Sequence, residues 1–550
     1  MEPCDALIVG AGPAGLGTAL LLIRREPWKK IIILERRPAV DVEDLDKSYV
    51  YKFDARGRSL TDAAGLSQAV EEAGMAGSSV SWTYVRPDGT TITLPFFIKG
   101  NEQYDVFITR SGLLKVMYEG LAKAEQQGRV RIIVNARLTT IQLQKDSAAT
   151  APIVVRAVYA APGGDGKEMS FAPRLLVGAD GINSSVRRAL ADWAPEAGLP
   201  ADHFNPVVLN SPSSGLRFKV LQLPPNPPFR KPPSSRPASA CRPDRNAATT
   251  ATNVNRGGTG NGGGDTTNGV LTNQQFFRVL GVDAPPNRIV RLGLFPVKDS
   301  KAPRTANIIK PNDHVFWTLT TGPQLGAFLQ ESFPQLDISA LFTEEQLQAV
   351  AASRGGVFPR PQYLKHFTAV LQQSCSSSAL SSTASDAPPA AVAGPCCGVA
   401  LVGDAVHCFP PDLGQGVNSA MQDVVGLAQA LDDGDGDLVR ALPLYETRRA
   451  PEAAALAELI TFGAPYQYAQ DMRGHNLWQA NIRFRAFMAK LAPWAFSPQT
   501  FPMVQGTELS YVQIRDRVHA TTKRLWALGL MVATAVGAVA FHRSTGVRAS

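Results

Sequence analysis

An α/β fold, α+β over the whole chain, is predicted by three features: apolar runs that end in Gly-rich or Asp-Gly turns, alternating runs bounded by turn residues, and a late stretch of helical periodicity. The apolar runs read as a buried parallel sheet, the alternating ones as an antiparallel sheet, and the late stretch as C-terminal helices. The 550 residues are 44% hydrophobic and 19% charged. That suffices for a large core and more than one domain, and excludes a coiled coil or a wholly disordered chain. Lys and Arg number 55 against 47 Asp and Glu, for a net charge of +8. The excess never gathers into a basic block, so no nucleic-acid partner is expected, whereas anionic ligands or a membrane surface are. The six cysteines show neither repeated CxxC spacing nor the density of a disulfide scaffold, so no metal site and a reducing compartment are expected.

The first element follows Asp5: the apolar run Ala6-Leu7-Ile8-Val9 enters Gly10-Ala11-Gly12-Pro13-Ala14-Gly15, then an apolar helical stretch at 16–23 and a second strand at 31–34 that ends at Glu35. Because ordered-looking sequence starts almost at once, no cleaved leader is expected. Strand, glycine turn, helix, strand and acid together form a Rossmann-like βαβ dinucleotide fingerprint. Its glycines permit a tight turn and close approach to a pyrophosphate, whose charge meets unpaired N–H groups at the helix start. A carboxylate at Glu35 suits a ribose and repels a 2′-phosphate, so this site is expected to hold FAD or NAD. A second apolar run ends at Gly178-Ala179-Asp180-Gly181, with Asn183-Ser184-Ser185 as helix caps. The third runs from Val399 through Gly403-Asp404 to His407, then Pro410-Pro411-Asp412-Leu413-Gly414-Gln415-Gly416-Val417-Asn418 and an amphipathic helix to Leu431.

These three segments, in this order, resemble the FAD-dependent aromatic hydroxylases, the single-component flavoprotein monooxygenases. The resemblance implies noncovalent FAD, consumption of NADPH or NADH and of O2, and hydroxylation of a small aromatic or hydrophobic molecule through a flavin C4a-hydroperoxide. It assigns Gly10, Gly12, Gly15 and Glu35 to the nucleotide, Asp404 to the ribityl chain, and Asp180 and Gly181 to both FAD and the nicotinamide cofactor. Arg110, in Thr109-Arg110-Ser111-Gly112, matches an arginine that holds FAD. Gly414 and Gly416 shape a turn from which the N–H groups of Val417 and Asn418 face the flavin pyrimidine edge, where a helix N-terminus favours anionic reduced flavin. His407 is expected as a packed histidine beside the cofactor and Cys408 as a small buried residue. No catalytic acid or base stands out.

Within the family, the likeness is greatest to its kynurenine 3-monooxygenase branch. It is carried by Arg56-Gly57-Arg58-Ser59-Leu60, by Ala64-Gly65-Leu66, and by Tyr466-Gln467-Tyr468 followed by Met472-Arg473-Gly474-His475. Phe96, Gln467 and Tyr468 are the candidate substrate contacts. The departures point away from kynurenine. No Arg or Lys lies between Arg58 and Arg86, where the branch neutralises a carboxylate; that position falls in Ser78-Ser79-Val80-Ser81. A tyrosine of the branch aligns with Phe96, an asparagine with Gln467 and a second tyrosine near Asp516. Arg86-Pro87-Asp88-Gly89 reads as a solvent-facing hairpin turn. A less anionic, more apolar aromatic is expected. The rival readings are a flavin reductase or halogenase on the same fold, although the halogenase Trp-x-Trp motif is missing, and a membrane-tethered redox sensor or scaffold without turnover.

Residues 1–75, 105–195 and 396–435 are expected to form a discontinuous FAD-binding domain, with 76–104 and 205–372 as an antiparallel-sheet substrate domain. Its strand candidates are 79–85 with 90–94, then 215–221, 276–282, 288–295 and 314–321. The Pro- and Gly-rich stretch 224–269 reads as a disordered insertion and 373–395 as a low-complexity one. Residues 438–517 are expected to be helical, with Phe462, Tyr466, Tyr468, Trp478 and Phe484 as candidate pocket aromatics. The uncharged segment 525–541 makes a helix of about 25 Å at ~1.5 Å per residue, against a hydrocarbon core of ~30 Å. With Lys523, Arg524 and Arg543 at its ends it reads as a tail anchor, with a cytosolic enzyme domain on the mitochondrial outer membrane. Gly529, Ala533 and Gly537 share one face that suits homodimer pairing.

Overall fold

Five strands lie parallel in one sheet, in the order Val130–Ile133, Ile31–Leu34, Glu2–Val9, Lys167–Gly178 and Cys396–Leu401. Leu7, Ile8, Ile32, Ile33, Leu176, Val177 and Ala400 are all buried, as strands covered on both faces must be. Helices Pro13–Leu22 and Gly416–Asp433 cover the sheet where its glycine turns lie. The computed structural model describes residues 1–40, 49–77, 81–95, 105–144, 153–159, 166–231, 268–285, 288–372, 380–381, 396–468, 470–506 and 508–546. Residues 368–372, at the end of the stretch expected as the substrate domain, form the strand Thr368–Gln372, antiparallel on Cys396–Leu401.

The second sheet runs Gly356–Val357, Arg217–Leu223, Arg304–Lys310, Arg291–Leu294, Phe276–Leu280, Ser81–Val85, Thr91–Pro95. It is antiparallel except at one place: Phe276–Leu280 runs parallel to Ser81–Val85, two segments brought together from distant parts of the chain. Residues 314–321, expected as a strand, form a 3-10 turn, Val315–Thr318, because the His314 side chain accepts a bond from the Phe316 N–H at 3.1 Å and starts a helix-like turn. The sheet takes Arg304–Lys310 instead. Helix Gly322–Ser332 covers the outer face, where Phe277, Val279, Leu292, Ile308 and Phe328 share one core. The inner face carries Phe276 and Trp82, which join Phe107 of the strand Val106–Thr109, the middle strand of a separate three-stranded sheet with Val50–Phe53 and Met75–Ala76.

The edges of the 224–269 insertion are folded: Pro228–Arg230 pairs antiparallel with Asn268–Val270 and buries Phe229. Its interior, 232–267, and most of 373–395 lie outside the described residues. Helices Leu438–Gly463, Met472–Leu491 and Thr500–Gln505 follow. The expected anchor is not a separate element, since one helix of 36 residues, Tyr511–Gly546, runs through it. Its first turns bury Tyr511, Ile514 and Val518, whereas Trp526, Leu530, Val536 and Phe541 are exposed.

Candidate cofactor and substrate site

Two glycines of the first turn admit no side chain. Gly10 has φ +103°, and a Cβ there would sit 2.4 Å from the Ala179 carbonyl oxygen; a Cβ on Gly15 would sit 1.9 Å from the Gly10 oxygen. A Cβ on Gly12 would meet nothing within 4 Å, so this backbone faces open space at a helix start that no side chain caps. Glu35 accepts from the Ala11 N–H at 2.9 Å and from the N–H and Nε of Arg37 at 2.9 and 3.0 Å. Burial raises its pKa, but the hydrogen bonds and charge of Arg37 outweigh this and hold it below the usual carboxylate range. Glu35 thus braces the glycine turn, and Arg37 Nη1 is buried beside it with no hydrogen-bond partner among the described residues.

The other two motifs converge on the same turn. Gly10 backs onto Ala179 and Asp180, and Gly403 backs onto Ala14 and Ala420. Asp180 accepts from the Ser185 N–H at 2.6 Å through Oδ2, while its buried Oδ1 has no hydrogen-bond partner among the described residues; burial raises its pKa. Gly181, at φ +82°, faces open space. Arg110 opens helix Arg110–Glu119 and donates its N–H to the Tyr49 carbonyl at 3.1 Å. Burial raises the pKa of Asp404, Tyr49 and Tyr51, and the charge of Arg110 lessens that rise at all three. Asp404 is exposed and yet hemmed in by protein, as a residue on the floor of a deep cleft is.

Beneath Asp404 lies a buried charge cluster. Asp423 accepts from the Gly403 N–H at 3.1 Å and from Arg449 Nε at 2.9 Å, and His407 Nε2 lies 2.6 Å from it. Burial opposes the charge on Asp423, but His407 and Arg449 hold its pKa below the ordinary value. His407 is fully buried and stacked on Phe409, so it is a packed residue; Cys408 is buried too. The Gly414 and Gly416 faces are open. Behind them the Asn418 side chain donates to the Lys52 and Gly414 carbonyls at 3.0 and 3.1 Å and accepts from the Asp54 N–H, while Tyr511 Oη donates to Gln415 at 2.7 Å. Val417, half-buried, sits in the first turn of the helix that this clamp orients.

Gln467 and Tyr468 meet a residue that sequence reasoning passed over as part of a turn. Gln467 Nε2 donates to the Asp412 carbonyl at 2.9 Å, and Ser213 Oγ and Tyr468 hydrogen-bond to the Asp412 carboxyl. Burial pushes that carboxyl up to about 7 against these bonds. The Tyr468 ring meets Phe358 edge-on at 5.4 Å. Arg278 lies over the Trp82 and Tyr84 rings at 5.2 and 5.9 Å, and its charge reaches Tyr468. It was read only as a strand residue; no periodicity marks a cation that a parallel pairing brings to the inner face. Phe96 and the stretch 78–80 lie outside the described residues. Asp516 pairs with its neighbour Arg515 on the last helix and Phe484 is exposed, so neither joins this group. Arg86 accepts from Gly89 in the expected turn. Among the described residues no group of three or more His, Cys, Asp or Glu is placed to hold a metal ion.

The family model of the FAD binding domain matches residues 3–216 and 397–459, and the chain belongs to this family of FAD-binding monooxygenases. It is 26% identical over 149 residues to the kynurenine 3-monooxygenase of Caenorhabditis briggsae, covering 26% of this chain and 32% of that one. It is 34% identical over 143 residues to that of Salinispora arenicola, covering 26% and 30%. The match therefore spans about a third of the length of these curated relatives. The solved structure of aklavinone-11 hydroxylase with FAD and aklavinone superposes with a TM-score of 0.52 at 17% identity, over 86% of this chain and 69% of that one. The fold is the mixed α/β fold of FAD-dependent hydroxylases.

Proposed function

We propose that this chain is an FAD-dependent, NAD(P)H-consuming monooxygenase that hydroxylates an aromatic or hydrophobic small molecule, resembling kynurenine 3-monooxygenase but not built for kynurenine itself. The observation that carries the reading is the convergence of three motifs on one cleft, with bare glycine faces at Gly12, Gly181, Gly414 and Gly416 and an unpartnered Asp180 oxygen. In this reading the uncapped start of helix Pro13–Leu22 holds the pyrophosphate. Asp404 and Arg110 hold the ribityl region, Asp180 serves the cofactor from the neighbouring strand end, and the N–H groups of Val417 and Asn418 face the pyrimidine edge. When bound, FAD supplies hydride acceptance and oxygen activation. The chain orients the substrate ring and keeps water out, and two aromatic pairs, the stacked Trp82 and Phe276 and the edge-on Phe358 and Tyr468, are suited to that.

The nucleotide-binding unit in this reading draws on 1–75, 105–195 and 396–435, and the second sheet supplies the substrate side. The exposed apolar helix is a membrane anchor, with the mitochondrial outer membrane as the proposed site. Purified protein should carry noncovalent FAD. Asp404→Ala should weaken FAD about tenfold to a hundredfold, the equivalent of roughly 1.5 to 3 kcal/mol for one charge-assisted hydrogen bond. Aromatic compounds should then be screened for acceleration of NAD(P)H oxidation with detection of hydroxylated product. Colourless protein that binds no added FAD would sink the reading.

A further inference from the structure

Asp412 is 2% exposed, and its partners are all uncharged. Its carboxyl takes hydrogen bonds from Ser213, Gln467 and Tyr468. From Ser213, which is itself fully buried, the hydroxyls continue: Ser213 Oγ lies 3.1 Å from Ser211 Oγ, and Ser211 Oγ lies 3.1 Å from Ser214 Oγ. Ser214 is half-buried, at the surface end of this turn. On the other side, Tyr468 touches Phe358 and feels the charge of Arg278 above Trp82 and Tyr84. A chain of exchangeable protons therefore runs from Tyr468 through the Asp412 carboxyl, Ser213 and Ser211 to the half-buried Ser214, with one carboxyl in the middle.

We propose that Asp412 is the proton-exchange group of the substrate pocket, acting through Tyr468 and connected to solvent by Ser213, Ser211 and Ser214. The proposal rests on the monooxygenase reading and adds the residue that removes a ring-hydroxyl proton from the substrate. The substrate hydroxyl gives its proton to Tyr468 Oη as Tyr468 passes its own to the Asp412 carboxylate. One O–H bond breaks on the substrate, one forms on Asp412, and the negative charge moves to the substrate oxygen, within the field of Arg278. Asp412 then hands a proton to Ser213 while each hydroxyl passes its own outward, so that one proton reaches water and no electrons change hands. Burial places the carboxyl near neutrality, where it can both take and release a proton. Among the described residues, the ionisable and charged groups that act on Asp412 and Tyr468 are Tyr468 itself and Arg278.

The test uses FAD-loaded protein and para-nitrophenol, whose ionisation is visible. Below the pKa of the free phenol, wild type should bind it with the phenolate band present. Asp412→Asn should lower the bound phenolate fraction about tenfold or more, one unit of pKa. Ser213→Ala should leave the final band intact but slow its appearance and the accompanying proton release, and Ser213→Thr, which keeps the hydroxyl, should restore the rate. The relay is overturned if wild type fails to bind the phenol or binds it neutral, or if Asp412→Asn matches wild type. Flavin absorbance and NAD(P)H oxidation measured on the same samples separate the two levels. Intact flavin turnover with an unchanged band overturns the relay alone, whereas protein without flavin overturns the reading beneath it.

Discussion

The Asp412 carboxyl makes a prediction that needs no substrate. Its folded pKa of about 7 stands above the ordinary 3.8, so between these values the folded state binds the extra proton. The sign follows: stability is fully present below pH 3.8 and is lost as pH rises through about 7. Some three units correspond to on the order of 4 kcal/mol. Urea titrations across this range should show wild type losing stability toward neutral pH and Asp412→Asn losing distinctly less; parallel curves would show that the carboxyl titrates normally. Arg278 bears on specificity in the same neighbourhood. No cation is available on the described strand Ser81–Val85, and Arg278 is already engaged over two rings, so kynurenine should turn over slowly. Losing one charge-assisted bond to a carboxylate costs roughly 1.5 to 3 kcal/mol. Efficient hydroxylation of kynurenine by wild type, abolished in Arg278→Ala, would instead make Arg278 the carboxylate's partner.

At the scale of elements, the first βαβ unit was legible because its constraints are local. Gly10 and Gly15 are demanded by contacts of 2.4 and 1.9 Å within the turn and to the next strand. Gly15→Ala should therefore force the helix off the strand and cost about 1 to 3 kcal/mol of stability, together with retained FAD. Thermal melts and flavin content check this, and a variant with wild-type melting and full flavin would contradict it. The substrate sheet was less legible. The strand Arg304–Lys310 alternates correctly, but its buried positions are Arg304, Ala306, Ile308 and Lys310, and only two of those carry an apolar signal. Residues 314–321 look like a strand by composition, yet one histidine side chain diverts them into a turn. The folded ends of the insertion were missed because a single buried aromatic, Phe229, holds them. At the site the same rule applies: cofactor residues sit in contiguous motifs, whereas Asp412, Ser213, Tyr468 and Arg278 come together only through tertiary packing of four separate segments.

At the scale of the whole molecule, most of the exposed large apolar side chains among the described residues lie in the C-terminal helices. Trp526, Leu530, Met531, Val532, Val536, Val539 and Phe541 project from the last helix, and Leu477, Phe484, Phe487, Leu491 and Trp494 from the helix Met472–Leu491 and the turn after it. Exposed apolar side chains in this number along two helices are not the singly scattered ones of an ordinary soluble surface. The span Tyr511–Arg543 is long and apolar enough to cross a membrane, and its most apolar window is 0% buried within the fold. The neighbouring helix adds the exposed Arg473, Arg483 and Lys490 and no acid, a composition suited to anionic headgroups. The 17 positions of 525–541 fall slightly short of a hydrocarbon core of ~30 Å, and Lys523, Arg524 and Arg543 can snorkel to close the gap. The full-length protein should therefore resist alkaline carbonate extraction, while a chain truncated after Arg524, which keeps Tyr511, Ile514 and Val518 packed in the body, should retain its flavin and move largely to the supernatant. Charged substitutions at Leu477, Phe487 and Trp494 in the truncated chain should remove the remaining vesicle binding. A full-length protein that extracts as readily as the truncated one would rule the anchor out, and equal loss of flavin in the truncated chain would show instead that the helix serves the fold.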